Sequence, residues 1–128
     1  MRRAGEEFPM EDDGKILRIN TPKSNLRGPW FVVKKNLDEH WALVMLSWKD
    51  PNEIEFKPRL GLRWFYGTAG TPSVRGLATW LILPEEMSKI ILDNLSIEVD
   101  IRQKANDILS GKFSIQELEQ ERKNKYGF

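Results

Sequence analysis

Pro58-Arg59-Leu60-Gly61-Leu62-Arg63-Trp64-Phe65-Tyr66-Gly67 alternates apolar residues with polar or small ones, the period of an extended strand. As a strand it puts Leu60, Leu62, Trp64 and Tyr66 on one face and Arg59, Gly61, Arg63 and Phe65 on the other. The first set reads as a core face, the second as a solvated face bearing two arginines. All five tryptophans fall in strand-length phrases from Trp30 to Trp80, so a sheet is expected across this region.

Upstream, His40 to Lys49 is apolar on both alternating faces, with Ala42, Val44, Leu46 and Trp48 on one and Trp41, Leu43 and Met45 on the other. A strand of that kind is covered on both sides and belongs in the middle of a sheet. Trp30 to Lys35 reads as its neighbour, joined through the turn Asn36-Leu37-Asp38-Glu39, and Asp50-Pro51-Asn52 supplies the turn that follows. Lys15 to Asn20 reads as a short first strand, and Thr21 to Pro29, with two prolines and a glycine, as a loop. Residues 1–14 hold Glu6, Glu7, Glu11, Asp12 and Asp13 with only Phe8 and Met10 as apolar anchors, the pattern of a flexible acidic tail.

Downstream, Gly67 to Gly76 contains three glycines and reads as a connection to a fifth strand, Leu77 to Leu83. The period then changes to about 3.6. Pro84, Glu85 and Glu86 open a helix that carries Met87, Ile90, Ile91 and Leu95 on one face. A second helix from Ser96 buries Ile97, Ile101, Ala105, Ile108 and Leu109 and stops at Gly111. A third starts at Ile115, because Ser114 and Glu117 have capping-box spacing and Phe113 and Leu118 hold the two staple positions. The expected architecture is α+β: one domain over residues 15–128, with about five mainly antiparallel strands in 15–83 and two or three helices in 84–125 packed on one face.

Composition narrows the function classes. Lys plus Arg total 20 against 19 Asp plus Glu, a net charge of +1, so any site for a polyanion has to be a local patch. The absence of cysteine excludes disulfides, thiol catalysis and cysteine-ligated metals. With His40 as the one histidine, histidine metal clusters are excluded too, and no Gly-x-Ser-x-Gly elbow, phosphate loop or dinucleotide fingerprint occurs. Apolar runs are of strand length, which points to a soluble, cytoplasmic protein without a membrane partner, and no cofactor or metal is expected.

Candidate site residues follow from side-chain chemistry. His40 reads as a turn residue, and the carboxylates Glu53 with Glu55, or Asp93 with Glu98 and Asp100, as solvated groups rather than a catalytic pair. Lys34, Lys35, Arg59, Arg63 and Arg75, with Phe65 among them, would offer charge plus stacking to a nucleic acid if they share one exposed face, or else form an ordinary solvated face. In the glycine loop Thr68, Thr71, Ser73 and Arg75 could surround an anion, although a plain connection needs the same glycines. Trp41, Trp48 and Trp80 read as core, whereas Trp30, Trp64 and Tyr66 are candidates for an interface or a pocket rim. The charged last helix, with only Ile115 and Leu118 as an apolar edge, could project toward a partner.

Three functional expectations result. The first is a non-catalytic binding or regulatory protein that acts through protein–protein contacts, including self-association as a homodimer. The second is a nucleic-acid-binding module, and the third a small-molecule-binding protein or carboxylate-dependent enzyme with an aromatic pocket.

Overall fold

A computed structural model describes residues 8–66 and 70–128. The protein is α+β, with a four-stranded antiparallel sheet, a separate two-stranded hairpin and three C-terminal helices. The main sheet has the order β1 (Leu26–Asn36), β2 (Trp41–Trp48), β3 (Lys57–Trp64), β6 (Leu81–Ile82). As its doubly apolar sequence requires, β2 is an inner strand, buried from Ala42 to Ser47.

Register decides which side chains share a face. Pairing of Leu43 with Leu62 and of Met45 with Leu60 places these four toward the helices α2 (Glu85–Asn94), α3 (Val99–Leu109) and α4 (Ile115–Tyr126). Leu83, Leu92, Ala105, Ile108 and Leu118 complete that layer. On the opposite side, Ala42, Val44, Leu46, Phe65 and Trp80 pack with Met10, Ile16, Leu17 and Leu26. The helices do cover one face, as expected, but the other face is not solvated.

What covers it corrects the reading of residues 8–20. Lys15 to Asn20 is not a strand: Asp13–Leu17 forms a one-turn helix, α1, capped by the Asp12 carboxylate, which accepts a bond from the Lys15 amide at 3.2 Å. Ile16 and Leu17 are fully buried beneath it. The expected acidic tail is packed from Phe8 onward, since the Phe8 ring lies 4.6 Å from Phe65 and Met10 is buried. Residues 1–7 lie outside the described residues.

Other boundaries move for local reasons. β1 begins at Leu26 rather than Trp30, and a register shift between Arg27 and Phe31 accommodates Gly28 and Pro29. Gly28 has φ +90°, and a Cβ there would stand 3.0 Å from both the Trp30 amide and its indole, so the bulge requires glycine. The expected fifth strand is divided. Leu77–Ala78 (β5) pairs with Ser73–Val74 (β4) across a two-residue turn in which Arg75 and Gly76 both have positive φ, and only Leu81–Ile82 rejoins the main sheet. Between these pieces Thr79 Oγ1 donates to the Thr21 carbonyl at 2.6 Å and Trp80 Nε1 to the Ile19 carbonyl at 2.7 Å, which ties the chain to the N-terminal layer.

In α2 the buried residues are Ser88 and Leu92, whereas Met87 and Ile90 are exposed. The Ser88 hydroxyl accepts a bond from the Leu60 amide at 3.2 Å and donates to the Leu83 carbonyl, so a polar group turns the helix away from its most apolar orientation. α3 starts at Val99, three residues after the expected Ser96. α4 starts at Ile115 with both capping-box bonds formed at 3.2 Å, and Phe113 and Leu118 both pack on the helix-side core. It docks on β1 rather than projecting, with Arg122 bonded to the Pro29 carbonyl at 3.1 Å.

Candidate interaction site

Lys34, Lys35, Arg59, Arg63, Phe65 and Arg75 do not form one exposed patch. Arg63 is 2% exposed and donates to the carbonyls of Pro72 and Thr79, which fastens the segment around the hairpin to β3; burial pushes its pKa down. Phe65 is 4% exposed and lies between Phe8 and Trp80, with no ring face open to a base. Lys35 pairs with Asp13 at 2.7 Å and bonds the Met10 carbonyl, while Lys34 reaches the Ser96 carbonyl on the helix side. Arg59 turns back on the Pro58 carbonyl, and Arg75 sits in the exposed hairpin turn. Gly67 and Thr68 of the proposed anion loop lie outside the described residues; Thr71 bonds back to Trp64 through both backbone groups, and Ser73 is exposed in β4.

The aromatic residues sort by the fate of the indole N–H. Trp30 donates to the buried Ser47 hydroxyl at 3.1 Å, Trp48 to Asp50 at 3.0 Å and Trp80 to the Ile19 carbonyl. Trp41 and Trp64 donate to no partner among the described residues. They are cross-strand neighbours, and together with Leu43, Leu62, Ile91, Leu95 and Glu39 they line a groove of about 270 Å³ between the sheet and α2. Of the expected rim aromatics, Trp64 is therefore at the groove. Trp30 is core, and Tyr66 is exposed at the side, its ring 5.3 Å from His40. Trp41, expected in the core, takes the place foreseen for Trp30.

Exposed apolar residues stand on the strand and helix next to the groove. Leu62 pairs with Leu81, so Leu81 extends the groove's sheet wall to the last strand and is 46% exposed. One turn before Ile91 on α2, Met87 is 51% exposed, and the adjacent Ile90 is 57% exposed. Among the described residues Glu39 is the only charged one lining the groove. Such a surface supplies desolvation and shape and little polar chemistry.

At the far end of the sheet a second depression, of about 380 Å³, is lined by Asn20, Lys23, Leu26, Arg27, Gly28, Trp30, Glu119 and Arg122. Strand β1 brings Arg27 and α4 brings Arg122, whose guanidinium stacks 5.2 Å from the Trp30 ring. Burial pushes the pKa of Arg122 down, Glu119 opposes that effect, and nearby Arg18 adds to it. Nothing local in the sequence announces this cluster, because Arg122 is separated from Lys23 and Arg27 by most of the chain and meets them only where α4 docks on β1.

The carboxylates considered for catalysis do not converge. Glu53 pairs with Lys57 at 2.8 Å, Glu55 is exposed, and Asp93, Glu98 and Asp100 lie on exposed helix ends. Among the described residues no three His, Asp or Glu side chains stand close enough to hold a metal ion, and no helix is long and apolar enough to cross a membrane. Comparison with protein-family models, with curated proteins and with solved structures finds no match for this chain.

Proposed function

We propose that this is a non-catalytic binding protein that acts through protein–protein contacts, and that the occupant of its apolar flank is a second copy of the chain. The observation that carries the reading is that Leu81, Met87 and Ile90 are exposed on the elements that wall or border the groove of Trp41, Trp64, Ile91 and Leu95, with one carboxylate among its lining. Exposed apolar surface of this extent is costly in water and is relieved by association. Self-association is favoured because the flank includes β6, a strand at the end of the sheet. An end strand has unpaired backbone groups on its outer side, and two copies related by a twofold axis would pair β6 with β6 antiparallel while bringing Met87 and Ile90 of both copies together.

Sedimentation velocity over a range from micromolar to sub-millimolar protein tests this. A monomer–dimer equilibrium that Met87→Glu with Ile90→Glu shifts to monomer is the expected result. A wild-type monomer at every concentration removes self-association and leaves the flank to a different protein.

A further inference from the structure

Beyond that reading, and at the opposite end of the sheet, we infer that the depression between β1 and α4 is a binding site for a phosphate-bearing anion, held by Lys23, Arg27 and Arg122. Three cationic side chains face one carboxylate, Glu119, in a protein whose net charge is only +1. Charge is therefore concentrated here. None of the three forms an ion pair with an Asp or Glu side chain among the described residues, nor does neighbouring Arg18.

The hydrogen bonds of the two arginines leave capacity directed elsewhere. Arg122 donates from Nε to the Phe128 main-chain oxygen and from Nη1 to the Pro29 carbonyl, both at 3.1 Å, which fixes the plane of its guanidinium. Arg27 uses Nη1 on the Lys23 and Leu26 carbonyls and stacks 4.3 Å from the Phe56 ring. In each guanidinium Nη2 makes no bond to protein among the described residues. Two planar forks held by main-chain oxygens and aromatic rings lose little side-chain freedom when an anion binds. Lys23 is exposed and adds a mobile charge, and Asn20 adds an amide. Like-charge repulsion between Arg122 and Arg18 also favours an anion, which relieves it. Phosphate is the group that matches the fork geometry and carries more than one negative charge.

The test is a titration of isotopically labelled full-length protein with pyrophosphate at constant ionic strength, followed by amide and arginine Nε–H resonances. The expected result is saturable shifts confined to Gly28, Arg27 and Arg122, with affinity lowered about tenfold or more by Lys23→Gln with Arg27→Gln, the loss of two charge-assisted contacts. Both substituted residues are exposed, so that variant keeps the fold. A parallel titration with a single-stranded oligonucleotide identifies the phosphate source. Binding at the same resonances, tighter than pyrophosphate and steeply weakened by salt, assigns a nucleic-acid backbone, whereas pyrophosphate binding alone assigns a free phosphate ligand. Absence of shifts at millimolar pyrophosphate, or shifts spread over all basic residues and unchanged in the double variant, overturns the site.

Discussion

At one end of the sheet β1 packs against α1, α3 and α4, and Arg122, Tyr126 and Phe128 close over it; at the other end β6 contributes two residues and leaves Leu81, Met87 and Ile90 in solvent. The chemistry of the two ends is also opposite, with basic side chains gathered at the first and apolar ones at the second. Late helices explain the difference. α4 returns to pack on β1 and takes its Pro29 carbonyl through Arg122, while α2 turns its buried flank to β3 and its apolar outer flank to water.

The comparison breaks most readily within α2. Leu92 is fully buried, and Leu92→Ala is expected to lower the unfolding free energy by roughly 2–5 kcal/mol in a denaturant titration. At the β1 end Arg122→Met removes two bonds to main-chain oxygens and stacking on Trp30, with an expected loss of roughly 1–3 kcal/mol by the same measurement. Met87→Ser with Ile90→Ser should change the stability of the dilute monomer by no more than about 0.5 kcal/mol per site. A large loss there would mean that the outer flank is part of the fold. The smallest effect is expected for the exposed pair of Glu53 and Lys57. The hydrogen bond from Lys57 holds the Glu53 carboxyl below its ordinary range, so the pair contributes above the unfolded-state pKa and that contribution is lost as pH falls through the folded-state pKa. Thermal melts of Glu53→Gln should therefore differ slightly from wild type at neutral pH and converge with it in acid.

Most of the architecture was legible in the sequence because it depends on local periods. The doubly apolar phrase from Trp41 to Trp48 identified an inner strand, and Ser114 with Glu117 located the start of α4 to the residue. Other features depend on contacts between distant segments. The face of Pro58 to Gly67 that carries Arg63 and Phe65 looked solvated, yet it is the more deeply buried at those two positions. Backbone carbonyls of Pro72 and Thr79 satisfy Arg63, and Phe8 covers Phe65, and neither partner is visible from strand alternation. The orientation of α2 escaped for a similar reason, since the hydroxyl of Ser88 is recruited by an amide of β3. Ile16 and Leu17, adjacent in sequence, gave no period by which a single helical turn could be told from a strand. The candidate surfaces were the least legible. Trp41 and Trp64 become a groove only through strand register, and Lys23, Arg27 and Arg122 become a cluster only through the docking of α4.

The proposal that the open end joins two copies of the chain is tested most directly by sedimentation velocity of wild type beside Met87→Glu with Ile90→Glu. A concentration-dependent dimer in wild type that is lost in the variant, with the monomer's melting temperature unchanged, is the predicted result. A wild type that stays monomeric, or a dimer that forms equally well in the variant, would contradict it.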